Sequence, residues 1–135
     1  MTLVTTSRRS TPVIRSIAKD LAFASGSSYL TRGKHGIREI AGEHEFFIVI
    51  EQQKSDVLLT IYDDGTPCMS RIIKEHQPGI REGEIFRGLK TSDKKLGLVL
   101  EKFCQVMYVD EEGLFLSFDG PQRRCKKLVL SGDDA

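Results

Sequence analysis

Residues 2–34 read TLVTTSRRSTPVIRSIAKDLAFASGSSYLTRGK and decide the fold. Residues 2–6 are rich in β-branched side chains, which predicts a strand, and a basic, hydroxyl-rich turn follows it. Thr11 and Pro12 then predict a helix start, because threonine caps helices and proline suits the first turn. Apolar residues recur at helical spacing over residues 14–22, and Gly26 predicts the helix end. This stretch therefore predicts a strand, a basic turn and an amphipathic helix.

The same order repeats immediately. Residues 28–32 predict a second strand, residues 33–36 (GKHG) a basic turn, and residues 37–41 a short helix. Consecutive strand–helix units favour parallel strands joined by a right-handed crossover. Both strand-to-helix turns are therefore expected at the same edge of the sheet.

The rest of the chain predicts mainly strands. They are expected at residues 46–51, 56–62, 66–75, 84–90, 114–119 and 125–130. Residues 76–83 contain Pro78, Gly79 and Gly83 and predict a loop at the boundary between two sub-lobes, about 1–80 and 81–130.

Between the sub-lobe boundary and the last two strands, one further helix is expected. Residues 91–93 predict its cap, although Gly97 and Val99 lower the helix propensity. Its apolar face would comprise Leu96, Val99, Leu100 and Phe103. Residues 131–135 form a tail. Strand, turn and helix thus recur at residues 3–23 and 85–103, which is a weak sign of an internal repeat.

Composition bounds the class of protein. A length of 135 residues suits one domain, and 39% hydrophobic with 29% charged residues is ordinary for a folded one. No apolar run approaches a membrane span, and Cys68, Cys104 and Cys125 are too far apart for a CxxC pair. A soluble, cytoplasmic protein with free thiols is the prediction.

Charge is distributed unevenly along the chain. Residues 1–40 hold seven lysines and arginines against two acidic residues, whereas the rest holds thirteen against seventeen, so the total is +1. A basic end next to a helix N-terminus favours phosphate, because unpaired N–H groups and the helix dipole point there. The predicted RNA-binding residues are Ser7, Arg8, Arg9, Ser10, Thr31, Arg32 and Lys34, with Arg15, His35, Arg123 and Arg124 as further candidates.

Two alternatives to phosphate binding remain open. Arg8, Arg9, Arg32 and Lys34 would also serve simply to keep an exposed edge soluble. A second basic set, made of Arg123, Arg124, Lys126 and Lys127, suits either binding or the protection of an edge strand.

Catalytic and cofactor patterns are missing from the sequence. A Walker pattern ending at Gly33-Lys34 fails, because Ser28 replaces its first glycine and His35 its magnesium-binding hydroxyl. There is no GxGxxG, no nucleophile elbow, and no metal-ligand spacing among the histidines. We therefore expect no catalytic residues, metal or cofactor, and an enzyme acting on a small phosphorylated substrate is the least supported class.

Three motifs in residues 2–41 carry a family resemblance. TTSR at residues 5–8, RSI at residues 15–17 and YLTRGK at residues 29–34 occur in the order and at the approximate spacing found in the Brix domain. The sequence resembles the compact archaeal relatives of the eukaryotic Brix-domain ribosome biogenesis proteins. Ile17 stands where the family often has an aromatic residue.

The resemblance implies both a fold and a function. The fold would be a single α/β Brix domain over residues 1–135, with a mixed sheet, helices and two similar lobes, each like the anticodon-binding domain of class IIa aminoacyl-tRNA synthetases. The function would be non-enzymatic: binding precursor ribosomal RNA and assisting its processing and subunit assembly. The alternative is a protein-interaction module that docks ribosomal proteins or other assembly factors through its acidic remainder.

Overall fold

The structure is a computed structural model that describes residues 2–7, 10–30, 36–102 and 104–131. The strands are β1 (Leu3–Thr6), β2 (Ser28–Leu30), β3 (Phe46–Gln53), β4 (Asp56–Asp63), β5 (Thr66–Ile80), β6 (Leu89–Thr91), β7 (Val106–Tyr108), β8 (Leu114–Asp119) and β9 (Arg124–Ser131). The helices are α1 (Pro12–Ser25), α2 (Ile37–Glu43) and α3 (Lys94–Leu100). Within these ranges no helix has the length and apolar character needed to cross a membrane.

The described strands form one mixed sheet in the order β2-β1-β3-β4-β5-β9-β8-β6-β7. β1 runs parallel to β2 and β3, and β6 runs parallel to β7, while the other neighbours are antiparallel. The predicted α/β class and the parallel pairing of the first two strands are confirmed. A parallel strand–helix–strand unit lies at each end of the sheet, β1-α1-β2 at one end and β6-α3-β7 at the other.

Helix α1 has the ends that the sequence predicts. The Thr11 hydroxyl accepts a 3.2 Å hydrogen bond from the Ile14 N–H, and Pro12 is the first helical residue. Gly26 ends the helix in the left-handed conformation with φ of 70°, which a side chain would disfavour. Ile14, Ile17 and Leu21 are buried, so the opposite face of α1 is left to solvent.

The core is divided between the two faces of the sheet. α1 and α3 pack on one face against apolar residues from nearly every strand, including Ile48, Leu116 and Leu128. α2 covers the other face only near β1 and β3, where Ile40 packs with Phe47 in a smaller cluster. No other described helix lies on that second face.

The predicted loop at residues 76–83 is wrong over its first half. β5 continues to Ile80 and pairs with β9 along residues 72–80. Proline is tolerated there because β4 leaves β5 at the pair Val57–Ile73, so Pro78 lies beyond the last residue that β4 could bond. One long strand therefore extends into the segment that the sequence predicts as a loop, and it pairs there with β9.

Two other boundaries and one additional strand differ from the prediction. The strand expected at residues 84–90 is formed only at Leu89–Thr91, and α3 ends at Leu100. β7 (Val106–Tyr108) was not predicted, because three residues carry too little periodicity. β2 ends at Leu30, and the expected strand residues 31 and 32 lie outside the described residues.

Candidate nucleic-acid interface

The solvent face of α1 carries two cations one turn apart, Arg15 and Lys19. Arg15 is anchored at the start of the helix, where its Nη1 donates a 2.5 Å hydrogen bond to the Ser10 carbonyl oxygen. The Ser10 hydroxyl in turn accepts a 3.2 Å hydrogen bond from the Thr6 hydroxyl at the end of β1. The main-chain N–H of Ser7 donates a 3.2 Å hydrogen bond to the Ile50 carbonyl oxygen on β3. These contacts fix the approach to α1 on both sides of residues 8 and 9.

The turn between β8 and β9 brings Arg124 against the same helix. Its Nη2 donates to Oδ1 of Asp20 at 3.0 Å, and its Nε donates to Oδ2 at 3.2 Å. A cleft of about 410 Å³ lies between helix and turn, and it is lined by Pro12, Arg15, Ser16, Lys19, Asp20 and Arg124. Two basic segments far apart in sequence therefore share one cleft.

Asp20 is the buried anchor of this cleft. Its carboxylate also accepts a 2.6 Å hydrogen bond from the Nζ of Lys126, and both of those side chains are buried. Burial alone would raise the pKa of Asp20, but the hydrogen bonds from Arg124 and Lys126 outweigh it and hold the pKa below its usual value. Two cations face one carboxylate, so the cluster keeps a net positive charge, and the Arg124 side chain stays 42% exposed.

A further arginine extends the basic surface along α1. The guanidinium of Arg87 lies 4.4 Å from the centre of the Phe23 ring, two turns beyond Arg15. The eight residues from Arg15 to Phe23 rise about 12 Å along the helix, so the cations from Arg15 to Arg87 are spread over about that length. We call Arg15, Lys19, Arg87 and Arg124 the basic strip.

Arg123 lies in the β8–β9 turn beside the strip, and Arg81, which follows β5, contacts this turn. Arg81 Nη1 donates to the Gly120 carbonyl at 3.1 Å, and the Arg81 N–H donates to the Arg123 carbonyl at 2.7 Å. Arg123 itself is exposed, with φ of 65°. The turn is thereby held in place by the side chain and the main chain of Arg81, while Arg123 itself is exposed.

The structure places some of the predicted site residues together. Ser10 contacts Arg15 at the start of α1, and Arg15 and Arg124 line the same cleft, whereas Ser7 follows β1 and does not line it. Thr5 pairs with Leu30, so parallel β1 and β2 end at the same edge of the sheet. The predicted residues outside the described part of the chain are Arg8, Arg9, Thr31, Arg32, Lys34 and His35.

The second basic set does not act as a unit. Lys126 is buried against Asp20, whereas Lys127 lies on the other face with its Nζ 4.4 Å from the Phe115 ring centre. The edge-strand alternative is wrong, because β9 lies between β5 and β8 inside the sheet. Only Arg123 and Arg124 of that set adjoin the α1 cleft.

Sequence reasoning missed Ser16, Lys19 and Arg87 as site residues. A signal existed for Lys19, which follows Arg15 by four residues on the polar face of a well-marked helix. No signal existed for Arg87, because its contact with Phe23 depends on how the second half of the chain packs. Among the described residues, no group of three or more His, Cys, Asp or Glu side chains forms a metal site.

Comparisons with known proteins agree at the level of the fold. No family model and no curated protein matches the sequence. The crystal structure of Mil, an archaeal Imp4-like protein, is similar with a TM-score of 0.66 and 18% identity over 96% of each chain. A probable ribosomal biogenesis protein from Aeropyrum pernix K1 is similar with a TM-score of 0.66 and 20% identity, over 99% of this chain and 97% of that one.

These likenesses confirm, as far as the fold goes, the resemblance drawn from residues 2–41. The chain shares its fold, over nearly its whole length, with proteins described as Imp4-like and as a ribosomal biogenesis protein.

Proposed function

We propose that this chain is a non-catalytic ribosome biogenesis factor that binds precursor ribosomal RNA and assists its processing and subunit assembly. The observation that carries the proposal is the cleft between α1 and the β8–β9 turn, where Arg124 is held beside Arg15 and Lys19. Its chemistry suits the RNA backbone, because arginine guanidinium groups bind phosphate through paired hydrogen bonds and lysine adds a point charge.

The aromatic rings beside the strip favour contact with the RNA backbone over recognition of bases. The Nζ of Lys19 lies 5.7 Å from the centre of the Tyr29 ring, and the guanidinium of Arg87 lies over the Phe23 ring. Sequence-specific RNA binding usually stacks unpaired bases on open aromatic rings. Here each ring is already faced by a cation, so we propose recognition of RNA shape and phosphate, with the strip spanning about 12 Å.

The predicted residues outside the described ranges extend the same proposal. Arg8 and Arg9 directly follow β1, while Arg32 and Lys34 follow β2, and these parallel strands end at one edge. We propose that they continue the strip, with Thr31 and His35 as additional donors. The likeness in fold to ribosome biogenesis proteins supports the general role of the chain in ribosome biogenesis.

The proposal includes the internal organisation of the domain. Parallel strand–helix–strand units at both ends of the sheet support two related sub-lobes, about 1–80 and 81–130, within one Brix-type domain. We propose that each resembles the anticodon-binding domain of class IIa synthetases, with β5 as the strand that connects them.

The test compares binding to precursor ribosomal RNA fragments across a salt series. The strip variant combines Arg15→Gln and Lys19→Gln. The control combines Lys74→Gln and Lys95→Gln, which remove the same charge from two exposed positions elsewhere. We expect the strip variant to lose affinity by about tenfold or more, and its log–log salt slope to fall by roughly 1.4 to 1.8, since each lost phosphate contact removes about 0.7 to 0.9.

The control should bind as the unmodified protein does. Equal affinity and equal salt slopes for all three proteins would overturn the assignment of the strip. Absence of RNA binding by the folded unmodified protein would overturn the function itself.

A further inference from the structure

Strand β7 ends the sheet, and no described strand lies on its outer side. It pairs with β6 through bonds from Leu89 N to Gln105 O and from Val109 N to Thr91 O, both 2.9 Å. Main-chain groups alternate along a strand, so residues 105, 107 and 109 direct theirs toward β6. Val106 and Tyr108 therefore direct their N–H and C=O groups outward, as a strand edge that can accept another chain.

Exposed apolar side chains surround this edge. Leu98 on α3 is 62% exposed, Met107 is 44% exposed and Tyr108 is 40% exposed. Leu98 and Tyr108, with Lys94 and Glu101, line a cleft of about 250 Å³. Half of the exposed large hydrophobic residues in the described part of the chain are thus found in this one region. We call Leu98, Met107 and Tyr108 with the outer edge of β7 the β7 groove.

Contacts within the domain hold the Tyr108 side of the groove in place. The Tyr108 ring packs over Gly97, where an added Cβ would lie 2.8 Å from the ring carbon Cζ. Partial burial and a hydrogen bond with the Glu101 carboxylate raise the pKa of the Tyr108 hydroxyl. A ring held in this way loses little conformational entropy on binding.

Acidic residues border the groove at its far end. Tyr108 also lines a second cleft of about 360 Å³ with Lys94, Asp110 and Glu111, among others. Glu101, Asp110, Glu111 and Glu112 are all exposed. They outnumber the cations that border or pair with them, which are Lys94 and Lys127, the Nζ of Lys127 lying 4.0 Å from Glu111. A partner carrying positive charge beside its apolar residues is therefore favoured.

We propose that the β7 groove binds an extended protein segment with apolar residues at alternate positions and basic flanks, which pairs with β7 as an added strand. Its main chain bonds to Val106 and Tyr108, its apolar side chains cover Leu98 and Tyr108, and its basic flanks face Asp110 and Glu111. Strand addition of this kind takes affinity from main-chain bonds and specificity from alternate side chains. The groove is at the opposite end of the sheet from β1 and β2, so this proposal does not depend on RNA binding.

The test uses a labelled synthetic peptide of about ten residues, long enough for one strand. It has leucine and threonine in alternation and two lysines at each end, and its binding is followed by fluorescence anisotropy. Two matched peptides serve as probe controls: one with glutamate flanks, and one N-methylated at alternate residues so that it cannot pair as a strand. We expect the lysine-flanked peptide to bind and both controls to bind at least about tenfold more weakly.

The protein variant is Leu98→Gln, with Val13→Gln as its control, because Val13 is also an exposed apolar residue on a helix. Leu98→Gln should weaken binding about tenfold, as expected from losing one buried leucine, and Val13→Gln should not. The amide hydrogens of Val106 and Tyr108 should become protected from exchange when the peptide is bound.

Three outcomes would overturn the proposal. Equal binding of the N-methylated peptide would exclude strand pairing, and no binding of any peptide to the folded protein would exclude the site. A dimer seen by light scattering that Leu98→Gln dissociates would assign the groove to a second copy of the chain instead.

Discussion

The Nζ of Lys126 on β9 donates a 2.6 Å hydrogen bond to Oδ2 of Asp20 on α1, across a separation of 106 residues. The two side chains are 4% and 1% exposed. Gly120 makes the approach possible, because a Cβ there would lie 2.6 Å from the Asp20 carboxyl carbon. The first helix is thereby tied to the last hairpin, and the tie positions Arg124 in the cleft.

Removing the charge of Asp20 should strongly destabilise the fold. In Asp20→Asn the Lys126 ammonium stays buried without its carboxylate, and breaking one side of a buried ion pair costs about 3–5 kcal/mol. Urea unfolding at neutral pH measures the loss, with Glu43→Gln as a control at an exposed carboxylate. The double variant Asp20→Asn/Lys126→Met should recover part of it, because no unpaired charge is left. Additive losses in the double variant would show that the two residues act separately.

Stability should decline in acid through Asp20 and Asp93. Burial raises the pKa of both carboxyls. Hydrogen bonds from Arg124 and Lys126 to Asp20, and from Arg71 to Asp93, outweigh the effect of burial and leave both pKa values below the usual 3.8. A carboxyl whose pKa is lower in the folded state contributes its full stability above the unfolded pKa, and this contribution is lost as the pH falls through the folded pKa. The unfolding free energy should therefore fall below pH 3.8.

The pH dependence can be assigned by comparing variants. Asp20→Asn has no carboxyl to titrate, so its unfolding free energy should decline less steeply in that range. Parallel curves for the variant and the unmodified protein would exclude Asp20 as a source of the acid sensitivity.

Asp93 should stabilise the fold in two separable ways. Its Oδ2 accepts a 2.7 Å bond from Arg71 Nε, and its Oδ1 caps α3 by accepting from the Leu96 N–H at 3.2 Å. Asp93→Ala loses both contacts, while Asp93→Ser keeps a capping hydroxyl. Both should lose several kcal/mol from the broken ion pair, and Ser should be about 1 kcal/mol more stable than Ala. Equal unfolding free energies for the two variants would mean that the cap contributes nothing.

Local signals explain why α1 was predictable. Its cap at Thr11, its first residue Pro12 and its end at Gly26 all act through contacts within a few residues. The end of β5 was not predictable. Pro78 is tolerated only where β4 has already separated from β5, and this separation depends on the pairing of strands that are distant in sequence. Elements whose ends are fixed by nearby capping residues are therefore easier to predict from sequence than strands that end where a neighbouring strand separates from them.

The same limit applies to the candidate site. Arg15 is visible on the polar face of α1, but nothing local shows that Arg124 reaches Asp20 across 104 residues. The sequence does carry one signal for this part of the site: Lys126, Leu128 and Leu130 alternate along one strand, so Lys126 shares the buried face with the two leucines. Reading alternation in β9 would have separated Lys126 from Lys127.

Arg123 and Arg124 offer a last test, because neighbouring residues of one type have different surroundings. Arg124→Gln removes two hydrogen bonds to Asp20. It should lower the unfolding free energy by roughly 1.5–3 kcal/mol, the usual value of a hydrogen bond to a charged group, and it should also weaken RNA binding. Arg123→Gln should weaken RNA binding at an exposed position and leave stability unchanged within about 0.5 kcal/mol. Urea unfolding and a salt series on the same preparations separate the two effects. Should both variants lose equal stability, Arg124 would have no anchoring role; should Arg124→Gln keep full RNA affinity, the cleft would not be a phosphate site.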